Sequence, residues 1–279
     1  MGQTRSNPRR RQPQRRPIPP SEAASARVTA GLPQTVPSPM LLPGTDLLIR
    51  VADAPVDVAP LYAILAAVHQ ALGRCLATRA VLESAQLVRA LRWLGFEAEL
   101  IACFARVFCD PYPTRLTDVG VRNRPPVVRR DGTTDGHAIV WISSTNRFID
   151  LAVFRDRNLL RAEGGEDPTF NAPAMLPMPG GRAQLLDPRL APGTDRGRFR
   201  IGWYPYPHWT SRYDELIARH ADAVNGGGLA LARVTLDLLS ATAVHRDMTE
   251  LDRRYPQLGR LLSGAAQLPD GQVEEGAVR

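Results

Sequence analysis

Apolar residues recur at intervals of three and four in two neighbouring segments, which is the pattern of amphipathic helices. Residues 56–72 predict a first helix, and residues 76–94 predict a second. Additional small and apolar residues widen the stripe of the second segment, so this helix is expected to be buried on most sides. Gly73 separates the two helices, and Gly95 follows the second in the position of a C-terminal cap.

Shorter apolar stretches downstream predict strands. Residues 96–104 predict one strand, in which Glu97 and Glu99 alternate with Ala98 and Leu100. Residues 137–142 and 147–153 flank a polar turn at 143–146, which is the pattern of a β-hairpin. Residues 198–204 predict another strand. Together these patterns indicate an α+β fold in which a buried helix packs on a small antiparallel sheet.

Proline and glycine mark the stretches between these elements. Residues 110–135 and 155–195 are expected to form irregular connections, since both contain several of these residues. Residues 211–262 carry helical patterns, and the glycines at 226–228 are expected to interrupt them.

Composition divides the chain into four parts. Residues 1–45 are rich in proline, arginine, glutamine and serine, and they bury too little apolar surface to offset their chain entropy. We therefore predict a disordered tail there. The core is expected over residues 46–210, a helical C-terminal extension over 211–265, and a second tail over 266–279.

The composition of the whole chain excludes several classes of protein. Of its 279 residues, 44% are hydrophobic, which supports a core, but no apolar stretch is long enough for a membrane-spanning helix. The N-terminus lacks the apolar region of a secretory signal. Three cysteines are too few for a disulfide framework or a zinc site, and Cys103 and Cys109 are expected to be inert. A cytoplasmic location is expected, and no cofactor or metal is indicated.

The basic residues narrow the chemistry further. The net charge is +7, and all 35 basic residues are arginine, which excludes Schiff-base chemistry and a phosphate-loop lysine. The arginines of residues 5–16 have no acidic residue near them in sequence before Glu22. Such an arm either associates with nucleic acid or an anionic surface, or remains solvated.

Three residues with complementary chemistry occur in order along the chain. Cys75 opens the second predicted helix, His137 begins one strand of the hairpin, and Asp150 lies in the other. If Ile142 faces Arg147 across the turn, His137 and Asp150 share one face, about 7–8 Å apart at the backbone. Asp150 would then orient the imidazole of His137, as in a nucleophile–base–carboxylate triad.

The position of Cys75 favours a reactive thiol. An ordinary thiol has a pKa of about 8.5, and a helix N-terminus or a nearby imidazolium lowers that pKa. The free N–H groups at the same helix end offer a site for an oxyanion, and Gln70 is a candidate for a second donor. The alternative is that Cys75 is a small core residue, His137 is structural and Asp150 caps a turn.

The order and context of these residues resemble the transglutaminase-like superfamily of papain-type cysteine enzymes. The matching motifs are Gly73-Arg74-Cys75 before a helix that ends at Leu94-Gly95, His137-Ala138-Ile139-Val140 in one strand, and Phe148-Ile149-Asp150 in the next. The resemblance covers residues 56–155. It implies a papain-like core, whose nucleophile-bearing helix packs on an antiparallel sheet, and a catalytic triad of Cys75, His137 and Asp150.

Three functions remain open at this point. The triad and the resemblance predict cysteine-dependent acyl transfer on a protein or peptide substrate, as a protease or amidase. Hydrolysis is favoured over cross-linking, because no feature indicates an amine acceptor site. The same fold without the chemistry would be a binding or interaction protein. The arm at residues 5–16 would instead make association with nucleic acid or an anionic surface the main activity.

Overall fold

The structure is a computed structural model that describes residues 51–72, 79–109, 114–165, 170, 172–187, 189–242 and 247–269. These residues belong to one unit, Ser38–Arg279, in which helices combine with an antiparallel sheet. Cys75 and the arginine-rich residues 5–16 lie outside the described residues. The disorder predicted for residues 1–45 and the tail predicted for 266–279 also stay predictions.

Two helices near the start of the described region match the predicted pair. Helix α1 spans Ala59–Leu72 and helix α2 spans Ala80–Trp93, which is buried along most of its length. Gly95 follows the end of α2 with φ of 91°, a conformation that favours glycine, as its cap signal predicts. The further α-helices of the described residues are α3 (Arg157–Glu163), α4 (Gly181–Leu186), α5 (Asp214–Arg219), α6 (Ala221–Ala241), α7 (Met248–Arg254) and α8 (Pro256–Leu262). No helix in this part of the chain is both long and apolar enough to cross a bilayer.

Seven strands within the described residues pair into one antiparallel sheet. They are β1 (Ala98–Cys109), β2 (Thr114–Val119), β3 (His137–Ile142), β4 (Arg147–Asp150), β5 (Ala174–Pro177), β6 (Gly193–Arg196) and β7 (Phe199–Pro205). Their order is β5-β4-β3-β1-β7-β6, and β2 also pairs with β1. The fold is therefore mixed α and β with an antiparallel sheet, as predicted, and the sheet is larger than expected.

Strands β2 and β3 share one edge of the long strand β1. Residues 98–103 of β1 pair with β3, and residues 105–109 pair with β2. Strand β7 pairs with residues 103–109 and therefore occupies the opposite edge. Consequently β2 ends where β3 begins, and His137, the first residue of β3, lies at this junction.

The β3–β4 hairpin has the register that the sequence predicts. Ile142 faces Arg147 across a 3-10 turn at Ser143–Thr145. Side chains alternate between the faces of a strand, so His137 and Asp150 share one face. Strand β4 ends at Asp150, earlier than the predicted end at Val153, because the Asp150 carboxylate binds the next backbone N–H groups and turns the chain.

Different parts of the chain cover the two faces of the sheet. On one face α1, α2 and α6 pack against side chains that include Val140 and Ile149. The other face carries Ile139 and Trp203, which are covered by residues such as Leu159 of α3. His137 and Asp150 lie on this second face, and the junction of β2 and β3 places His137 at an end of its strand.

The glycines at 226–228 lie inside α6 and do not interrupt it, so this prediction was wrong. A Cβ at Gly227 would collide with the side-chain amide of Gln86 in α2. A Cβ at Gly228 would lie 2.9 Å from the carbonyl oxygen of Gln86. Glycine therefore allows α6 to approach α2 closely, and this packing offsets its low helix propensity.

Two stretches that were predicted to be irregular contain regular elements. Strand β2 lies within 110–135, while α3, β5 and α4 lie within 155–195. All four elements are short, so each offers too few residues for a clear hydrophobic period. Their pairing and packing on the sheet stabilise them, and such tertiary contacts override weak local propensity.

Candidate active site

His137 and Asp150 form a hydrogen-bonded pair in the core. Nε2 of His137 lies 2.8 Å from Oδ2 of Asp150, and the exposed fractions of the two side chains are 1% and 0%. His137 begins β3 and Asp150 ends β4, so the antiparallel hairpin brings them to the same end of the sheet. The structure thus brings together two of the three residues that the sequence singles out.

Four donors surround the carboxylate of Asp150. Its Oδ1 accepts hydrogen bonds from the backbone N–H groups of Ala152 at 2.7 Å and Val153 at 3.0 Å. Its Oδ2 accepts from His137 and from Nε1 of Trp203, which lies at 2.6 Å. Burial alone would raise the pKa of Asp150, but the charge of His137 and these hydrogen bonds outweigh burial and lower that pKa. Asp150 is therefore an anion at neutral pH.

The anion determines which ring nitrogen of His137 carries a proton. An ionised carboxylate only accepts hydrogen bonds, so Nε2 must be the protonated nitrogen. Nδ1 is buried and has no hydrogen-bond partner among the described residues. In the neutral ring Nδ1 is thus an unused acceptor, and it is the atom through which His137 can take a proton from another group.

Trp203 is a site residue that the sequence pattern did not single out. It lies in β7, faces Ala105 of β1 and is fully buried. Strands β3 and β1 separate β7 from β4 in the sheet, yet the Trp203 indole reaches Asp150. The sequence offers one weak signal for this role, which is a tryptophan inside the strand predicted at 198–204. The N–H group of a buried indole usually donates to an acceptor, so a partner for Trp203 is expected.

Cys103 lies directly opposite His137 in the β1–β3 ladder. Its side chain is buried, and burial together with the charge of Asp150 raises the pKa of its thiol well above the ordinary value. The neutral thiol is then the dominant form at neutral pH, whereas the thiolate is the nucleophile. The surroundings of Cys103 therefore agree with the expectation that it is inert.

Close contacts hold the backbone around His137. The hydroxyl of Tyr213, in the 3-10 helix Pro207–Tyr213, donates to the carbonyl oxygen of His137 at 3.2 Å. Burial raises the pKa of Tyr213, so its hydroxyl stays protonated and available as a donor. A Cβ at Gly136 would collide with this hydroxyl. Gly120 has φ of 88°, and a Cβ there would lie 2.6 Å from Cβ of His137. Glycine at both positions permits this approach.

Arg155 connects the start of α2 to the chain just beyond Asp150. Its Nε donates to the carbonyl oxygen of Leu151 at 2.6 Å, and its guanidinium forms a buried ion pair with Glu83 in the first turn of α2. Burial and the charge of Arg155 lower the pKa of His69, in the last turn of α1. Arg155 therefore interacts with residues at both helix ends that flank residues 73–78, through an ion pair with Glu83 and through its charge on His69.

The other two predicted site residues are Cys75 and Gln70. Cys75 lies outside the described residues, so the structure gives no distance between its thiol and His137. Gln70 is exposed in the last turn of α1, one residue from His69. Its assignment as an oxyanion donor stays a prediction.

Neither a metal cluster nor a known relative adds to this geometry. In the described ranges, no three His, Cys, Asp or Glu side chains cluster in a way that could hold a metal ion. No protein family, curated protein or solved structure matches the chain. The site is therefore interpreted from its own residues.

Proposed function

We propose that the protein is a cysteine-dependent acyl-transfer enzyme that acts on amide or peptide bonds through Cys75, His137 and Asp150. The observation that carries the proposal is the buried His137–Asp150 pair, in which Nε2 is engaged and Nδ1 has no partner in the described part of the chain. A general base needs such a pairing, because the carboxylate holds the ring while the second nitrogen accepts the proton.

Cys75 is the proposed nucleophile because the helix ends on either side of it interact with Arg155, which follows Asp150 closely in the chain. His69 and Glu83 both interact with Arg155, and Arg155 binds the carbonyl of the residue after Asp150. Cys103 is a poor candidate, since its buried thiol has a raised pKa. A papain-like core with the nucleophile before α2 is part of this proposal.

The proposed reaction uses proton transfers through His137. The thiol proton passes to Nδ1, the Cys75 sulfur attacks the amide carbon, and the C–N bond breaks as His137 protonates the leaving amine. Water then attacks the thioester and gives its proton to His137, and the acid is released as this proton returns to sulfur. Asp150 orients the ring and stabilises its cation throughout. Gln70 and the backbone before α2 are proposed to stabilise the oxyanion.

Hydrolysis is proposed over cross-linking, because no described feature indicates a site for an amine acceptor. We place the reaction in a reducing compartment such as the cytoplasm, where Cys75 stays a thiol.

Cysteine alkylation tests the proposal directly. The rate of iodoacetamide modification of each cysteine is measured against pH by mass spectrometry in the wild type and in His137→Ala. We expect Cys75 to react fastest, with an apparent pKa below about 8.5 that rises in His137→Ala. Cys103 and Cys109 in the same samples serve as internal controls.

The opposite result would favour a binding protein with the same fold. If iodoacetamide modifies Cys75 no faster than Cys109, and if the His137→Ala change does not alter the rate at Cys75, no thiolate–imidazole pair exists. His208→Ala is the matched control, because His208 is exposed and lies outside the pair. This variant shows whether loss of an imidazole elsewhere also changes the modification rate.

A further inference from the structure

A groove of about 540 Å³ lies beside the junction of β2 and β3. Its volume falls within the range of sites that bind small molecules or a few side chains. The groove is lined by Phe104, Arg106, Arg115, Asp118, Gly120, Val121, Arg122, Asn123 and Arg124. Four of these nine residues are arginines, so the groove is strongly cationic.

The acidic residues near the groove balance only part of this charge. Asp118 forms ion pairs with both Arg106, at 3.1 Å, and Arg115. Arg124 pairs with Asp135 at 2.6 Å. Arg122 is exposed and makes no ion pair or hydrogen bond with any residue that the structure describes. Four guanidinium groups thus face two carboxylates, and Arg122 is the one most available to a ligand.

The groove lies beside the backbone of His137. Gly120 lines the groove, and a Cβ at this position would lie 2.6 Å from Cβ of His137 and 3.1 Å from the carbonyl oxygen of Cys103. Phe104 and Arg106 of the lining lie on the face of β1 opposite to that of Cys103, which pairs with His137. The groove therefore lies across the sheet from the His137 ring.

We propose that this groove is an interaction surface that binds an acidic peptide segment. Guanidinium groups bind carboxylates through paired N–H donors, so Glu or Asp side chains of the partner would engage Arg122 first. The partly neutralised Arg115 and Arg124 would add long-range attraction.

The lining of the groove favours a peptide over nucleic acid. Proteins that bind single strands combine basic side chains with aromatic rings on which bases stack. Phe104 is the aromatic residue of this lining, but it is buried, and the guanidinium of Arg106 lies 5.3 Å above its ring. The groove therefore offers cations without a stacking surface.

The test measures binding of three fluorescent probes to the full chain by anisotropy. The probes are a short peptide of alternating Glu and Ala, its Gln–Ala analogue, and an oligothymidylate of the same charge as the first peptide. The variants are Arg122→Glu and, as a matched control, Arg260→Glu on α8, where the arginine is also exposed. Each variant is also made with Cys75→Ala, so that binding is measured independently of the chemistry.

We expect the Glu–Ala peptide to bind more tightly than the Gln–Ala peptide, and Arg122→Glu to weaken it about tenfold while Arg260→Glu changes it less than about twofold. Equal effects of the two variants, or no difference between the peptides, would overturn the inference. A larger effect of Arg122→Glu on oligothymidylate than on the peptide would also overturn it, in favour of a nucleic-acid groove.

Discussion

The Asp150 carboxylate loses its hydrogen bonds to water when it is buried, and four hydrogen bonds from the protein replace them. Two come from the backbone of Ala152 and Val153, and two come from the side chains of His137 and Trp203. A buried charge is tolerated only when it is satisfied in this way. The same bonds keep Asp150 ionised, and an ionised Asp150 holds the proton of His137 on Nε2.

Trp203→Phe removes one of the four donors and keeps the aromatic ring. We expect the free energy of unfolding to fall by about 1–3 kcal/mol, because a buried carboxylate loses a hydrogen bond. Trp141→Phe is the matched control: Trp141 is also buried, but its Nε1 has no partner among the described residues. Urea denaturation of both variants measures the difference, and an equal loss in the two would contradict a specific role for the Trp203 N–H.

At the scale of elements, a buried ion pair links the first turn of α2 to the chain that follows the β3–β4 hairpin. Glu83 and Arg155 have side-chain exposed fractions of 11% and 4%, and Arg155 also binds the carbonyl of Leu151. This contact links α2, which packs on one face of the sheet, to the chain that leaves β4 on the other.

Glu83→Gln removes the carboxylate charge that pairs with the buried guanidinium of Arg155. Loss of one partner of a buried ion pair destabilises a protein strongly, so we expect the free energy of unfolding to fall by about 3 kcal/mol. Glu215→Gln provides the control, since Glu215 is 86% exposed and pairs with Arg219 one helical turn away. That change should alter stability by less than about 0.5 kcal/mol. If thermal or urea unfolding shows similar losses of stability in the two variants, the Glu83–Arg155 pair does not stabilise the position of α2.

At the scale of the whole molecule, charge and hydrogen bonding make stability depend on pH. The pKa of Asp150 is lower in the fold than the ordinary value of 3.8. The unfolded chain therefore binds a proton at this carboxyl at a higher pH than the folded chain does. Its contribution to stability is fully present above the ordinary pKa and is lost as pH falls through the lowered one.

Asp150→Asn tests this dependence. We expect the variant to be less stable than the wild type at neutral pH, and the gap to narrow as pH falls below about 4. Urea unfolding at a series of pH values between about 2 and 7 measures both curves. Parallel curves across the acid range would mean that Asp150 does not titrate with a lowered pKa.

The sequence by itself determined the elements whose contacts are local. The apolar stripe of α2, the cap at Gly95 and the β3–β4 register all follow from spacing within a few residues, because helices and hairpins close contacts between near neighbours. That register is sufficient to bring His137 and Asp150 onto one face. The nucleophile assignment of Cys75 also comes from the sequence alone, and it remains a proposal.

Only the tertiary structure decided which distant residues complete the site. Trp203 reaches Asp150 from 53 positions away, and Arg155 reaches Glu83 from 72 positions away. The glycines inside α6 are likewise explained only by the close packing of α6 on α2. No periodic pattern encodes these pairings, because they depend on the order of strands in the sheet and on which helices meet.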